Sequence, residues 1–175
     1  MRPIDIQNRV EKIQKMLEHY SQQHRTGHFA ALGAEELTAS LLTENQALTI
    51  LWQGGPGDAP LPQGSSFVFT LGLHNPGLSP IGYTFAHLWT GRGHADPNIS
   101  TFLLNVDQRF PTLTEPQTQQ GLTIGPDEIK TLDFTVTIPT GVEKTLYTLN
   151  TCIMRAHWHG VGEFLARSSF PFLVG

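Results

Sequence analysis

The most regular hydrophobic pattern of the chain lies in residues 1–25. Apolar side chains recur there at intervals of four, three, four and three residues, which places them on one face of an α-helix. They are Ile6, Val10, Ile13, Leu17 and Tyr20. Asp5 can cap the free N–H groups of the first turn, and the helix should end near residues 22–24, before Gly27. The pattern therefore predicts an N-terminal amphipathic helix with an apolar seam.

Something must cover this seam, because a helix of about 20 residues gains little stability alone. The seam either packs on the chain's own domain or binds a protein partner, which could be a second copy of the chain. Two heptads are fewer than a self-standing coiled coil normally needs. The seam residues are therefore candidate contact residues, and the choice between the two alternatives stays open.

After the helix, residues 26–46 are predicted to form a linker or a short helix. Ala34–Leu42 is rich in Ala, Leu and Glu and suits a short helix, whereas residues 36–42 would also suit a first strand. Periodicity does not decide between these two interpretations.

From residue 47 onward the pattern alternates between apolar and polar positions, which is typical of β-strands. Turn residues separate about seven such segments. They are 47–53, 66–74, 83–90, 100–106, 131–138, 145–158 and 163–174, with a short edge strand at 121–124 inside the long connection 107–130. No helix-length segment lies between them, so the strands should pair antiparallel. Residues 47–175 are therefore predicted to form a two-sheet β-sandwich.

Several segments resemble bacterial immunoglobulin-like and fibronectin-type-III-like sandwich domains. They are FVFTLGLHNPG at 67–77, GLTIGPDE at 121–128, LDFTVTIP at 132–139 and LYTL at 146–149. The resemblance covers residues 47–174 and implies an immunoglobulin-like sandwich that binds, spaces or caps other proteins. It also implies that Tyr147 occupies a tyrosine-corner position, with its hydroxyl bonded to backbone. The paired cysteines of antibody domains are missing, since the chain has only Cys152.

Composition narrows the possible functions. Charged residues make up 15% of the chain and the net charge is −4, which disfavours a nucleic-acid partner. One cysteine excludes a disulfide scaffold. No apolar stretch reaches the length of a membrane span, and the N-terminus lacks the apolar region of a cleaved signal peptide. We therefore expect a cytoplasmic protein or a component of an intracellularly assembled particle.

One cluster has the composition of a metal site. His157 and His159 project to the same face of a strand, and with Glu163 they form an H-x-H-x3-E spacing that resembles the first metal motif of cupins. Two imidazoles and a carboxylate would suit a divalent metal with an open position. No second motif follows to supply a further ligand, so the alternative is a polar rim where a strand ends.

Two other residue types are candidate sites. Cys152 lies in mid-strand, where a free cysteine is usually a small buried hydrophobe rather than a nucleophile. Trp52, Trp89 and Trp158 could form a carbohydrate platform, but large aromatics more often belong to the core.

The sequence thus favours a non-enzymatic structural or adaptor protein, without a cofactor, that contacts a protein partner or forms a homo-oligomer within a larger, phage-like or intracellular assembly. The long loops 54–64 and 107–130 support an interaction role. A small cupin-like enzyme that uses His157, His159 and Glu163 is the alternative, and a carbohydrate-binding module is a weaker one.

Overall fold

The structure, a computed structural model, describes residues 3–25, 27–42, 47–92, 119–156 and 162–175. It begins with helix α1, Pro3–Gln23, which ends where the sequence predicts. Most of its polar positions face solvent, while the seam faces the rest of the chain.

Residues 27–42 contain a strand as well as a helix. Strand β1, His28–Ala31, was not predicted, and helix α2 spans Ala34–Leu42. The backbone N–H of Gly33 donates to the Glu36 carboxylate at 2.9 Å, and the Gly33 carbonyl accepts from the N–H of Leu37. This is one half of a capping box, and it explains why these residues form a helix rather than a strand.

The first sheet has the order β1-β2-β3-β6. Its further strands are β2 at Thr49–Gly55, β3 at Ser66–His74 and β6 at Ile129–Thr137. All its pairings are antiparallel, and β3 pairs with β6 without a break from Ser66 opposite Thr137 to His74 opposite Ile129.

The second sheet has the order β5-β4-β7-β8 and is also antiparallel. Its strands are β4 at Ile81–Arg92, β5 at Gln119–Ile124, β7 at Leu146–Ala156 and β8 at Gly162–Leu173. The predicted edge strand at 121–124 is confirmed, since β5 is an outer strand of this sheet. The predicted strand at 100–106 lies outside the described residues.

The two sheets pack face to face around one hydrophobic core. Alternate side chains of β3 and β6, such as Phe69, Leu71 and Phe134, meet Leu149 and Phe170 of the second sheet. Strands β2 to β8 divide between the sheets in the immunoglobulin-like arrangement, with β2, β3 and β6 in one sheet and β5, β4, β7 and β8 in the other. The predicted fold class, a mainly β sandwich with an N-terminal helix, is confirmed.

Tyr147 forms the expected corner. Its side chain is fully buried at the start of β7, and its hydroxyl donates a 2.9 Å hydrogen bond to the backbone carbonyl of Glu143. The bond satisfies the only polar group that this side chain brings into the core.

A second hydrophobic cluster lies on the outer face of the first sheet. Helices α1 and α2 cover this face, so β3 is buried on both sides from Phe69 to His74. Gly72 lies under the indole of Trp52, and a Cβ atom at residue 72 would overlap Nε1 and Cδ1 of that ring. Neither of these helices is long and apolar enough to cross a membrane, and the search covered only the described part of the chain.

Candidate functional site

The helix seam lies inside the molecule. Tyr20 is half-buried and stacks on Trp52 with ring centroids 4.8 Å apart. The other four seam side chains are buried in the cluster that contains Leu37, Leu41 and Trp52; they are Ile6, Val10, Ile13 and Leu17. Of the two alternatives left by the sequence, this structure shows packing on the chain's own domain. The seam is therefore not a surface that this conformation offers to a partner.

A charged cluster at the border of the seam also joins α1 to the sandwich. Arg9 donates from Nη2 to Oδ1 of Asp127 at 2.7 Å and from Nε to Oδ2 at 3.1 Å. Nε2 of His74 lies 2.6 Å from the same Oδ1. Because a carboxylate only accepts, this imidazole nitrogen carries the hydrogen. Three elements therefore meet at one carboxylate: α1, the end of β3 and the turn before β6.

The turn residues that hold Asp127 are tightly fixed. Asp127 has φ 58°, a left-handed conformation that Asp adopts more readily than most residues. Its N–H donates to the carbonyl of the fully buried Asn75 at 2.9 Å. The Asn75 side-chain amide donates to the carbonyls of Ser79 at 2.7 Å and Ile124 at 3.0 Å. This network sets the direction in which the Asp127 carboxylate points.

Burial and pairing shift the pKa values in this cluster. Burial lowers the pKa of His74 below its ordinary value of 6.5, an effect that the Asp127 carboxylate partly offsets and the Arg9 charge reinforces. Burial would raise the pKa of Asp127, but hydrogen bonds from Arg9 and His74 and their charges hold it below 3.8. The arrangement at neutral pH is therefore a neutral imidazole, a carboxylate and a guanidinium.

The hydrogen bonds of this cluster hold α1 against the sandwich. A hydrolytic site would need a nucleophile within hydrogen-bond reach of the imidazole. The hydrogen bonds described for this cluster join His74 and Arg9 to the Asp127 carboxylate, and Arg9 belongs to the helix. Among the described residues, no three His, Cys, Asp or Glu side chains group closely enough to hold a metal ion.

The structure does not test the predicted metal residues. His157 and His159 lie outside the described residues, and the side chain of Glu163 is likewise not described, although its backbone belongs to β8. The cupin-like metal site therefore stays a prediction.

Two other candidates are buried. Cys152 is fully buried in β7, and burial raises the pKa of its thiol to about 12, so it is not a poised nucleophile. Trp52 is buried beneath α1 and stacks with Tyr20 and Phe29. It is therefore a core residue rather than part of a carbohydrate platform.

An open groove lies between one side of the first sheet and the outer strand of the second. One wall consists of residues 30–32, 36, 40, 47–53 and 76, and the other of residues 166–169 of β8. We call this feature the inter-sheet groove. It contains two adjoining hollows of about 370 Å³ and 390 Å³, both lined by Leu32, Glu36, Ile50 and Arg167. Each hollow is as large as the smaller pockets that take ligands.

The inter-sheet groove also contains unsatisfied polar atoms. Gln53 reaches across it and donates from Nε2 to the Ser169 carbonyl at 3.4 Å, a long bond. Oε1 of Gln53 and Oγ of Ser168 are buried, and neither has a hydrogen-bond partner among the described residues. Such groups cost free energy unless a partner arrives.

Sequence reasoning missed both the charged cluster and the groove. Arg9 and Asp127 are 118 positions apart, and His74 and Asp127 are 53 apart, so no local spacing signals their contact. The sequence signal that could have pointed to Asp127 is the GPDE turn at 125–128, because Asp is a residue type that tolerates positive φ in turns.

The similarities of this chain to known proteins lie among solved structures. No family model matches the chain, and no curated protein matches it significantly. Among solved structures, the C-terminal domain of Wzt is 9% identical with a TM-score of 0.49, and the match covers 76% of each chain. A CARDB domain of the PF1109 protein from Pyrococcus furiosus, solved in complex with di-metal ions, is 13% identical with a TM-score of 0.40, covering 69% of this chain and 84% of that one. The solution structure of that CARDB domain is 14% identical with a TM-score of 0.41, covering 75% and 97%.

Proposed function

We propose that this chain is a non-enzymatic domain that acts by contact with other proteins, as a structural or adaptor component of a larger assembly. The observation that carries the proposal is the inter-sheet groove, which is open, mixed in polarity and bordered by an outer strand. Concave surfaces with a few convergent polar groups are where proteins usually bind their ligands.

The chemistry of the described residues supports contact rather than turnover. Of the side chains with shifted pKa values, His74 and Asp127 serve to hold α1, and Cys152 is buried in β7. Glu36 and Arg167 line both hollows of the groove, which therefore carries charges of both signs. Such a mixed surface suits a polypeptide better than a polyanion.

The proposal can be tested by photo-crosslinking in the cells that express the protein. A photoreactive residue is placed at Ala31, which is exposed and lines the groove, and in a control protein at the exposed Lys144. We expect protein adducts from the Ala31 position. The function proposal is contradicted if neither position yields an adduct and the isolated protein has the mass of one chain.

A further inference from the structure

The outer edge of β8 presents backbone groups to the inter-sheet groove. The carbonyl of Ser169 accepts from the Gln53 side chain, and that of Leu173 accepts from the backbone N–H of Leu61 at 2.8 Å. Both donors lie outside the second sheet, so these carbonyls point away from β7. Backbone groups of a strand alternate in direction, so those of residues 167 and 171 point outward as well. Pro171 offers no N–H, which confines any further pairing to the part of β8 around Ser169.

The fold already pairs extended backbone with this edge. Leu61 forms a parallel bridge with Val174, donating to the Leu173 carbonyl and accepting from the N–H of Gly175 at 3.0 Å. One residue of the chain, Leu61, therefore already pairs with this edge at the end of β8. Beside the groove, the Ser169 carbonyl holds only the long 3.4 Å bond from the Gln53 side chain, which an added strand would replace.

The groove next to this edge has room for the main chain of a bound peptide and for its side chains. Small residues line it, among them Ala30, Ala31, Ser40 and Ala166, and these allow a neighbouring main chain to approach closely. The unpartnered Gln53 Oε1 can accept a hydrogen bond, and the Ser168 hydroxyl can donate or accept one. An extended peptide carries both kinds of group at regular intervals.

We propose that an extended segment of a partner protein adds as a strand to the outer edge of β8 at residues 167–169, and that its alternate side chains fill the inter-sheet groove. This inference rests on the proposed function and names the kind of partner. Strand addition combines main-chain hydrogen bonds along the edge, which fix the direction and register of the peptide, with pockets that take its alternate side chains.

The size of the hollows favours a foreign segment over a second copy of the chain. A few main-chain hydrogen bonds contribute little net affinity, because they replace bonds to water. Most of the affinity must therefore come from side chains buried in the hollows of about 370 Å³ and 390 Å³. On this face of β8, a second copy carries the small side chains of Ala166 and Ser168 and a Phe170 that is already buried in its own core. A segment with Val, Ile or Phe at alternate positions fills them better.

The test uses a fluorescent probe peptide with the sequence Lys-Thr-Val-Thr-Val-Thr-Lys, acetylated and amidated, and measures its anisotropy with the full chain. We expect saturable binding, weakened at least tenfold by Ser169→Pro, which removes an outward N–H. Ser169→Ala is the matched control. It loses only the hydroxyl, which lies 3.1 Å from Asn150 Oδ1, and should bind as the unmodified protein does.

A ligand-side variant keeps the test decisive if Ser169→Pro does not fold. N-methylation of alternate peptide bonds yields two probes, blocked on opposite edges of the extended peptide. We expect one of them to bind and the other to lose binding.

Three results would overturn the inference: equal binding of both N-methylated probes, equal binding to Ser169→Pro, or no binding up to about 1 mM probe. Self-association that Ser169→Pro abolishes, without probe binding, would assign the edge to a second copy and overturn it too. Adducts from Lys144 but not from Ala31 in the crosslinking experiment would leave the proposed function standing while the strand-addition inference fails.

Discussion

Arg9 and Asp127 form a two-pronged ion pair that joins helix α1 to the turn before β6 across 118 positions of sequence. The Arg9 side chain is largely buried, whereas that of Asp127 is 37% exposed. The Asp127 carboxylate also binds His74, so loss of the guanidinium changes the surroundings of both groups. The pair is the polar counterpart of the apolar seam, because the two hold the same helix by different forces.

We expect Arg9→Ala to lower the free energy of unfolding by about 1 kcal/mol, since the pair is charge-assisted but partly open to solvent. Urea unfolding followed by circular dichroism measures the change. Asp127→Asn is the matched variant, because Asn tolerates positive φ and removes only the charge. In a double-mutant cycle the two changes should be less than additive. Strict additivity would show that Arg9 and Asp127 do not stabilise each other.

Acid should destabilise the protein in two stages. The pKa of His74 is lowered by burial, so below about pH 6.5 the unfolded chain binds a proton that the folded chain does not, and stability falls as the pH falls. The pKa of Asp127 is also lowered, so its contribution is present above 3.8 and is lost as the pH falls through its folded value. Urea unfolding at a series of pH values measures both stages.

His74→Gln separates the two stages of this acid effect. Glutamine keeps a donor for Asp127 but has no proton to gain, so the decline that begins near pH 6.5 should disappear while the lower stage remains. An unchanged profile in this variant would contradict the role of His74.

Changes at the seam should affect folding rather than assembly. Ile13 is 3% exposed within the second cluster, so Ile13→Ala should cost about 2–5 kcal/mol of unfolding free energy. Ile4 is 60% exposed on the same helix, and Ile4→Ala should change stability by less than about 0.5 kcal/mol. Thermal unfolding with light scattering measures stability and mass together. A stable protein whose mass drops on the Ile13 change would instead indicate an intermolecular seam.

Gly72 should not tolerate a larger residue. A methyl group there would overlap the Trp52 indole, so Gly72→Ala must displace the ring or the strand, at a cost of about 1–3 kcal/mol. Gly82 is the control, because a Cβ at that strand position would lie 3.8 Å from Oγ1 of Thr123, an ordinary contact. Thermal unfolding of both variants makes the comparison, and equal melting temperatures would show that the sheet absorbs the extra methyl group.

Cys152 should be inert in the folded protein. Its thiol is fully buried and burial raises its pKa to about 12, so little thiolate forms near neutral pH. Alkylation with iodoacetamide at pH 8, followed by mass spectrometry, should leave the chain unmodified unless denaturant is added. Rapid alkylation without denaturant would show that β7 opens easily.

The sequence was most informative where periodicity and turn residues agreed. Strand β3 was predicted at 66–74 and lies at Ser66–His74, because strict alternation ends there at an Asn-Pro-Gly turn. Strand β1 was missed, since its four residues carry no alternation of their own and form a strand by pairing with β2. Local pattern cannot reveal an element that depends on its neighbour.

The candidate sites were harder to predict for the same reason. The seam residues were found by spacing, but spacing does not say what covers them, and that depends on where Trp52 and Leu51 of β2 lie in the fold. The inter-sheet groove combines residues from β1, α2, β2 and β8, so it exists only once both sheets are in place.

The packing of α1 has a consequence for the order of events during synthesis. Helix α1 is translated before the elements it needs, since its seam belongs to a cluster packed against Ile129 and its Arg9 side chain binds Asp127. The surface on which α1 packs is therefore incomplete until about one hundred further residues have left the ribosome. Until then its uncovered seam is a natural target for a chaperone.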